Sequence, residues 1–216
     1  KNLLPREVSR LQPVARHLVL LMQGHSCSVT DVHFSRTGDR VVTASEDDGT
    51  ARVWAFSAGY THTEHLVLNL SENDDARDLS HPRARSGPGP HRNGGRSTRS
   101  QDKTLALNVC WTSDDARIIT LQRVAGGATR LKAWDSFTGD LLRVIPTVCA
   151  SQCKHLRPHP LQPGLALTAG SDGILRMWDL DRELSVFCCD LSESFRAAEP
   201  SAAPDTTIEV HDVDFS

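Results

Sequence analysis

The sequence predicts an all-β fold built from repeated groups of four short antiparallel strands, and three observations carry the prediction. An Asp-Gly pair leads into an alternating run ending in Trp twice, in DDGTARVW (47–54) and DGILRMW (172–178), with Asp48 and Asp172 each six residues before their Trp. Asp-Gly suits a tight hairpin, because Gly takes positive φ without a Cβ clash. Short alternating runs also recur with turn signals every eight to twelve residues, the spacing of antiparallel meanders. No window holds a 3.6-residue period over eleven residues, so little helix is expected.

The elements follow in order. VTDVHF (29–34) alternates, RVVTAS (40–45) comes after a Thr-Gly-Asp turn, TARVW (50–54) after the Asp-Gly turn, and LVLNL (66–70) closes the first group. NVCWTSDDARIITLQ (108–122) supplies two strands around a turn at Asp114-Asp115, followed by TRLKAWD (129–135) and DLLRVI (140–145). The third group is KHLRPHP (154–160), LALTAG (165–170), ILRMWDL (174–180) and ELSVFC (183–188). IEVHDVDFS (208–216) resembles VTDVHFS (29–35) and is expected to be a lone first strand of a further unit.

The closing tryptophans, Trp54, Trp134 and Trp178, are separated by 80 and then 44 residues. The longer spacing comes from residues 71–103, rich in Ser, Gly, Pro, Arg and Asp, with one Leu as the only large apolar residue. Such a segment cannot bury enough surface to offset its ordering entropy, so a disordered insert is expected there. SESFRAAEPSAAPD (192–205) marks a second tract, and 191–207 is expected to be a flexible loop. The organisation read from the chain is therefore 1–70, the insert 71–103, 104–190, the loop 191–207 and the strand 208–216.

The 216 residues suffice for a domain with a real core. Lys plus Arg is 24 against Asp plus Glu 27, a net charge of −3, which favours neither a dedicated nucleic-acid binder nor an acidic tail. Hydrophobic content of 38% fits a folded part diluted by polar segments. LVLLM (18–22) is too short to span a bilayer and lacks a cleavage site. The six cysteines form no CxxC pair and are expected to be free, buried thiols of an intracellular protein. Lys rather than Met at position 1 suggests a fragment or a processed product.

Period and signature together resemble the WD40 repeat, with Gly24-His25 as the GH dipeptide and Trp134-Asp135 and Trp178-Asp179 as WD dipeptides. The resemblance covers residues 16–70, 105–188 and 208–216. It implies a partial β-propeller, about three four-stranded blades plus one stray strand, with disordered inserts. It also implies a hydrogen-bonded tetrad in the first blade of His25, Thr43 (or Ser45), Asp48 and Trp54. Each bond is worth about 1 kcal/mol net, and more when its loss leaves a buried partner unsatisfied. Thr168, Asp172 and Trp178 match the same positions in the third blade, where Val148-Cys149 stands in place of GH. The middle blade has Ala128 at the Asp position and no GH, so these two blades are expected to be softer and held mainly by packing.

A closer resemblance lies in AWDSFTGDLLRVI, LRPHPLQPGLALTAGSDGILRMWDL and DGTARVWAF, which look like later repeats of the bromodomain-and-WD-repeat proteins (the pleckstrin-homology-domain-interacting protein group). That group implies a nuclear, chromatin-associated scaffold, or a substrate receptor of cullin-RING ubiquitin ligases, with histones or a cullin-RING adaptor as partners. Outside the resemblance the expected location is cytoplasmic. The adaptor-docking signature has Arg three residues after the WD Trp; here Asp181 holds that place and Arg182 follows.

Sharper chemistries compete with this. Asp48, His25 and Thr43 resemble a catalytic triad in composition, but a strand-bound Thr lacks the exposed turn that nucleophilic chemistry needs. AGSDG (169–173) is one residue from a nucleophile elbow around Ser171, yet a strand rather than a helix follows. Cys149, Cys153, His155 and His159 offer soft ligands but would spread along about 33 Å of extended chain. Arg83, Arg85, Arg92, Arg96 and Arg99, with no acidic or aromatic residue between 82 and 100, suit a phosphate backbone and make nucleic-acid binding the alternative function. By fold analogy, the partner-binding loop candidates are Arg36, Glu46, Arg123, Arg130, His155 and Arg157. No cofactor, metal, membrane or small-molecule substrate is expected, and no enzymatic activity.

Overall fold

The structure, a computed structural model, describes residues 22–46, 48–57, 61–70, 105–124, 127–149, 153–198, 208 and 210–215. The expected disordered insert at 71–103 lies outside the described residues. Within them the chain forms β1 (Asp31–Phe34), β2 (Arg40–Ser45), β3 (Thr50–Ser57) and β4 (Thr61–Asn69). Next come β5 (Leu105–Trp111), β6 (Arg117–Arg123), β7 (Thr129–Asp135) and β8 (Leu141–Cys149). Last are β9 (Cys153–Pro158), β10 (Leu165–Gly170), β11 (Ile174–Asp179), β12 (Leu184–Asp190) and one helix, α1 (Leu191–Ala198).

Each run of four strands is one antiparallel sheet in chain order, so the molecule is three meanders. The first strands stand side by side, β5 touching both β1 and β9, which is the arrangement of successive blades in a partial propeller. Gly49 and Gly173 take φ of +67° in the β2–β3 and β10–β11 turns, as a tight Asp-Gly hairpin requires. In all three sheets the pairing of the last two strands slips one residue before the tryptophan, at Val53/Trp54, Ala133/Trp134 and Met177/Trp178. A bulge there twists the outer strand and re-aims the indole toward the second strand.

Two apolar seams join the blades. Val42, Ala44, Val53, Leu68 and Leu70 meet Val109, Trp111, Ile118 and Trp134 between the first and middle sheets. Cys110, Ile119, Leu121, Leu131 and Ile145 meet Leu156, Ala166, Trp178 and Leu180 between the middle and third. Burying each large aliphatic side chain contributes about 1.5–3 kcal/mol, so these seams dominate the stability. The middle sheet is covered on both faces, and β6 and β7 are buried almost end to end. The third sheet has one covered face; β12 leaves Leu184, Val186 and Phe187 about half exposed.

Four expectations need correction. Cys27, in the segment before β1, and Cys188, on the outer strand β12, are exposed rather than buried, since neither lies in an apolar seam. β3 and β4 extend past TARVW and LVLNL, with Phe56 opposite His62 in the added ladder. THTEH has no apolar alternation to reveal it, but backbone pairing needs none. The start of the expected 191–207 loop is the helix α1, because Asp190 Oδ1 accepts from the amides of Ser192 (2.8 Å) and Glu193 (3.2 Å), capping the first turn. The expected lone strand at 208–216 pairs with no sheet where it is described; it lies against the third sheet instead. Val210 is buried, Asp212 Oδ1 meets Arg157 Nη2 at 3.0 Å, and the Phe215 ring sits 4.9 Å from His159.

Candidate functional site

Four side chains of the first sheet form one continuous hydrogen-bonded chain. The His25 Nδ1–Asp48 Oδ2 distance is 2.7 Å, His25 Nε2–Thr43 Oγ1 is 2.8 Å, and Trp54 Nε1 donates to Thr43 Oγ1 at 2.9 Å. With Nδ1 protonated and donating to the carboxylate, Nε2 accepts from the Thr43 hydroxyl, and every member is satisfied. Asp48 is held further by the Thr50 amide (2.9 Å), the Thr50 hydroxyl (2.7 Å) and the Ser26 amide (3.2 Å). Burial alone would push its carboxyl up; the bonds from Thr50 and His25 outweigh this and hold it below 3.8. Thr43, not Ser45, closes the chain, and among the described residues the buried Ser45 Oγ has no hydrogen-bond partner. Because Thr43 is buried and its oxygen is already engaged by both the imidazole and the indole, no open face remains for an electrophile.

The tryptophan–threonine bond repeats in the other sheets, from Trp134 to Thr120 (3.0 Å) and from Trp178 to Thr168 (2.8 Å). Beyond the threonine the sheets diverge. In the third, Asp172 Oδ2 takes Arg176 Nη1 at 2.7 Å in place of a histidine. In the middle, Gln122 Nε2 donates to Thr120 Oγ1 (2.9 Å) and Arg130 Nε donates to Gln122 Oε1 (3.0 Å). The middle blade is thus not held by packing alone: glutamine and arginine rebuild a polar chain where Asp and His are missing. Lys132 adds to it, fully buried, with Nζ 3.4 Å from the Leu70 carbonyl and 5.5 Å from the centre of the Trp134 ring.

The loop candidates do not converge. Glu46 and Arg123 pair at 2.7 Å across the first two sheets, at the end carrying the β2–β3 and β6–β7 turns. Arg36 lies at the opposite end, in the β1–β2 turn. His155 and Arg157 belong to β9, and Arg157 is engaged by Asp212. Arg130 is a correction: it sits inside β7 and is buried, because both faces of the middle sheet are covered. Ser171 lies in the hairpin turn between β10 and β11, without a following helix. Among the described residues no group of three His, Cys, Asp or Glu could hold a metal ion, and no described helix is long and apolar enough to cross a membrane.

Arg40, Asp115 and Asp31, which no motif singled out, join the first sheet to the middle one. The Arg40 guanidinium lies 4.6 Å from the ring centres of both Trp111 and Phe137. Its Nη1 donates to the Ser136 carbonyl and hydroxyl (3.4 Å each) and Nη2 to the Asp115 carbonyl (3.3 Å). Asp115 takes the left-handed conformation (φ +57°), and its carboxylate accepts from the amides of Arg36 (2.8 Å) and Thr37 (3.2 Å). Asp31 accepts from the Val109 amide (2.9 Å) and the Asn108 amide group (3.3 Å). Burial raises the Asp31 carboxyl, but His33, Val109 and Asn108 together bring it below 3.8. The available signal was the Asp114-Asp115 pair, since Asp tolerates positive φ better than most residues.

Residues 16–55 match the family model of the WD40 repeat, described as WD domain, G-beta repeat. The match spans the GH dipeptide, β1, β2 and β3 up to the residue after Trp54. A WD40 repeat is therefore present, and repeats of this kind generally mediate binding to other proteins.

Proposed function

We propose that this chain is a propeller segment acting as a non-enzymatic protein-interaction scaffold in a nuclear, chromatin-associated regulator or ubiquitin-ligase substrate receptor of the bromodomain-and-WD-repeat group. One observation carries the scaffold role: a WD40 repeat at 16–55 heads three blades whose best polar constellation, His25–Asp48–Thr43–Trp54, is consumed in holding strands together. Support for the narrower assignment is the likeness of AWDSFTGDLLRVI and LRPHPLQPGLALTAGSDGILRMWDL to that group's repeats. Histone tails or a cullin-RING adaptor would be its partners.

The test is titration of the immobilised chain with histone H3 and H4 tail peptides and with a purified cullin-RING adaptor. Saturable binding with Kd of about 1–100 μM to either is the expected result. Flat responses from all three would overturn the chromatin and ligase assignment. The five-arginine run of residues 82–100 favours a second reading, nucleic-acid binding through the insert. It predicts that affinity for random RNA drops on deletion of 76–103 and falls steeply from low to high salt; affinity that survives the deletion excludes it.

A further inference from the structure

At the end of the sheets that carries the β1–β2 and β7–β8 turns, the first and middle blades leave a cleft of about 510 Å³ between them. Phe56 and Phe137 supply its aromatic wall, Arg40 its floor, and Asp39 and Asp114 its rim. Phe137 is 64% exposed, in a turn whose backbone is fixed by Asp135 Oδ1, which accepts from the Phe137 and Thr138 amides (2.9 Å each). Apolar aromatic surface kept in water beside a cleft marks an interaction site.

The charge of the cleft indicates what enters it. Arg40 is already committed, stacked between Trp111 and Phe137 and bonded to Ser136 and Asp115. The two rim carboxylates are not saturated. Ser35 and Thr37 hydroxyls both bond Oδ1 of Asp39, and the Thr112 hydroxyl and Ala116 amide both bond Oδ1 of Asp114. Neither Oδ2 receives a side-chain hydrogen bond from the described residues. The hydroxyl of Thr37 draws the Asp39 carboxyl below the ordinary carboxylate range.

We infer that this cleft docks an arginine side chain of an extended partner segment, the guanidinium stacking on exposed Phe137 and pairing with Asp39 and Asp114. A planar cation that stacks on a ring and forks onto carboxylates is what arginine offers and lysine does not. The site belongs to the scaffold role proposed above and names the chemistry one of its surfaces accepts. It lies at the opposite end from the Asp48–His25 turn.

The experiment is an amide-shift titration of the 216-residue chain with the capped tripeptide Gly-Arg-Gly, and with the same peptide carrying citrulline, the uncharged isostere. Saturating shifts centred on Phe137, Asp39 and Asp114 are expected, about fivefold weaker with citrulline and about fivefold weaker in Phe137→Ala or Asp114→Asn. Phe137 is exposed, so its variant keeps the fold. Equal response to arginine and citrulline, or shifts unaffected by both variants, overturns the site. A doubling of the chain's own mass that Phe137→Ala abolishes also overturns it, assigning the cleft to a second copy. Should histone tails or the adaptor bind while Phe137→Ala changes nothing, the cleft assignment falls and the scaffold role stands.

Discussion

In the first sheet Asp48 is held by His25, 23 positions away in the chain, whereas in the third Asp172 is held by Arg176, four positions along its own hairpin. Both sheets have the same Asp-Gly turn with Gly at φ +67°, and both end in a tryptophan bonded to a threonine of the second strand. The difference lies in what the aspartate gathers. His25 and Ser26 belong to the segment before β1, so Asp48 fastens an incoming chain to the turn, the second strand and the tryptophan. Arg176 satisfies its carboxylate as well, from within the same hairpin. Where an aspartate's partner sits in sequence decides which segments that bond fastens together.

That contrast can be broken or sharpened by substitution. The largest effect is expected where the sheets agree: Trp54→Ala and Trp178→Ala should each cost about 3–5 kcal/mol in denaturant unfolding, because both indoles are buried and bonded alike. Where they differ, His25→Ala should cost about 2–3 kcal/mol, since it strips a partner from both Asp48 and Thr43. Gly173→Ala should cost about 1–2 kcal/mol, as its Cβ would meet the Ile208 carbonyl at 2.7 Å in a left-handed residue. Loss of protection in 208–215 should accompany it. Arg176→Ala should cost under about 1 kcal/mol, the worth of a part-exposed local pair.

Acid titration sharpens the same point. Asp48 and Asp31 are held below 3.8 in the folded chain, so their contribution is fully present above that value and drains as pH falls through the lowered one. Unfolding measured from pH 6 to pH 3 should therefore show a shallower acid loss in Asp48→Asn than in the unaltered chain.

The strand quartets, the Asp-Gly turns and the tryptophans were legible because each has a local signature of spacing or turn chemistry, and the first-sheet tetrad only through the resemblance to the WD40 repeat that Gly24-His25 and the closing Trp carry. Arg130 and Lys132 were not. TRLKAWD alternates, which shows that Arg130, Lys132 and Trp134 share one face, but alternation says nothing of whether a second sheet covers that face. In the middle blade one does, so Gln122, Arg130 and Lys132 are buried and must find partners indoors. Arg40 and Asp115 were hidden for a related reason, since their bonds reach across 75 or more positions to a neighbouring blade.

Hydrogen exchange at the tryptophan indoles and the Ser26 amide tests the central claim most directly. His25→Ala should speed exchange of the Trp54 indole and the Ser26 amide about tenfold or more, while Arg176→Ala leaves the Trp178 indole within about twofold. Equal acceleration of the two indoles, or an unchanged Ser26 amide in His25→Ala, would contradict it.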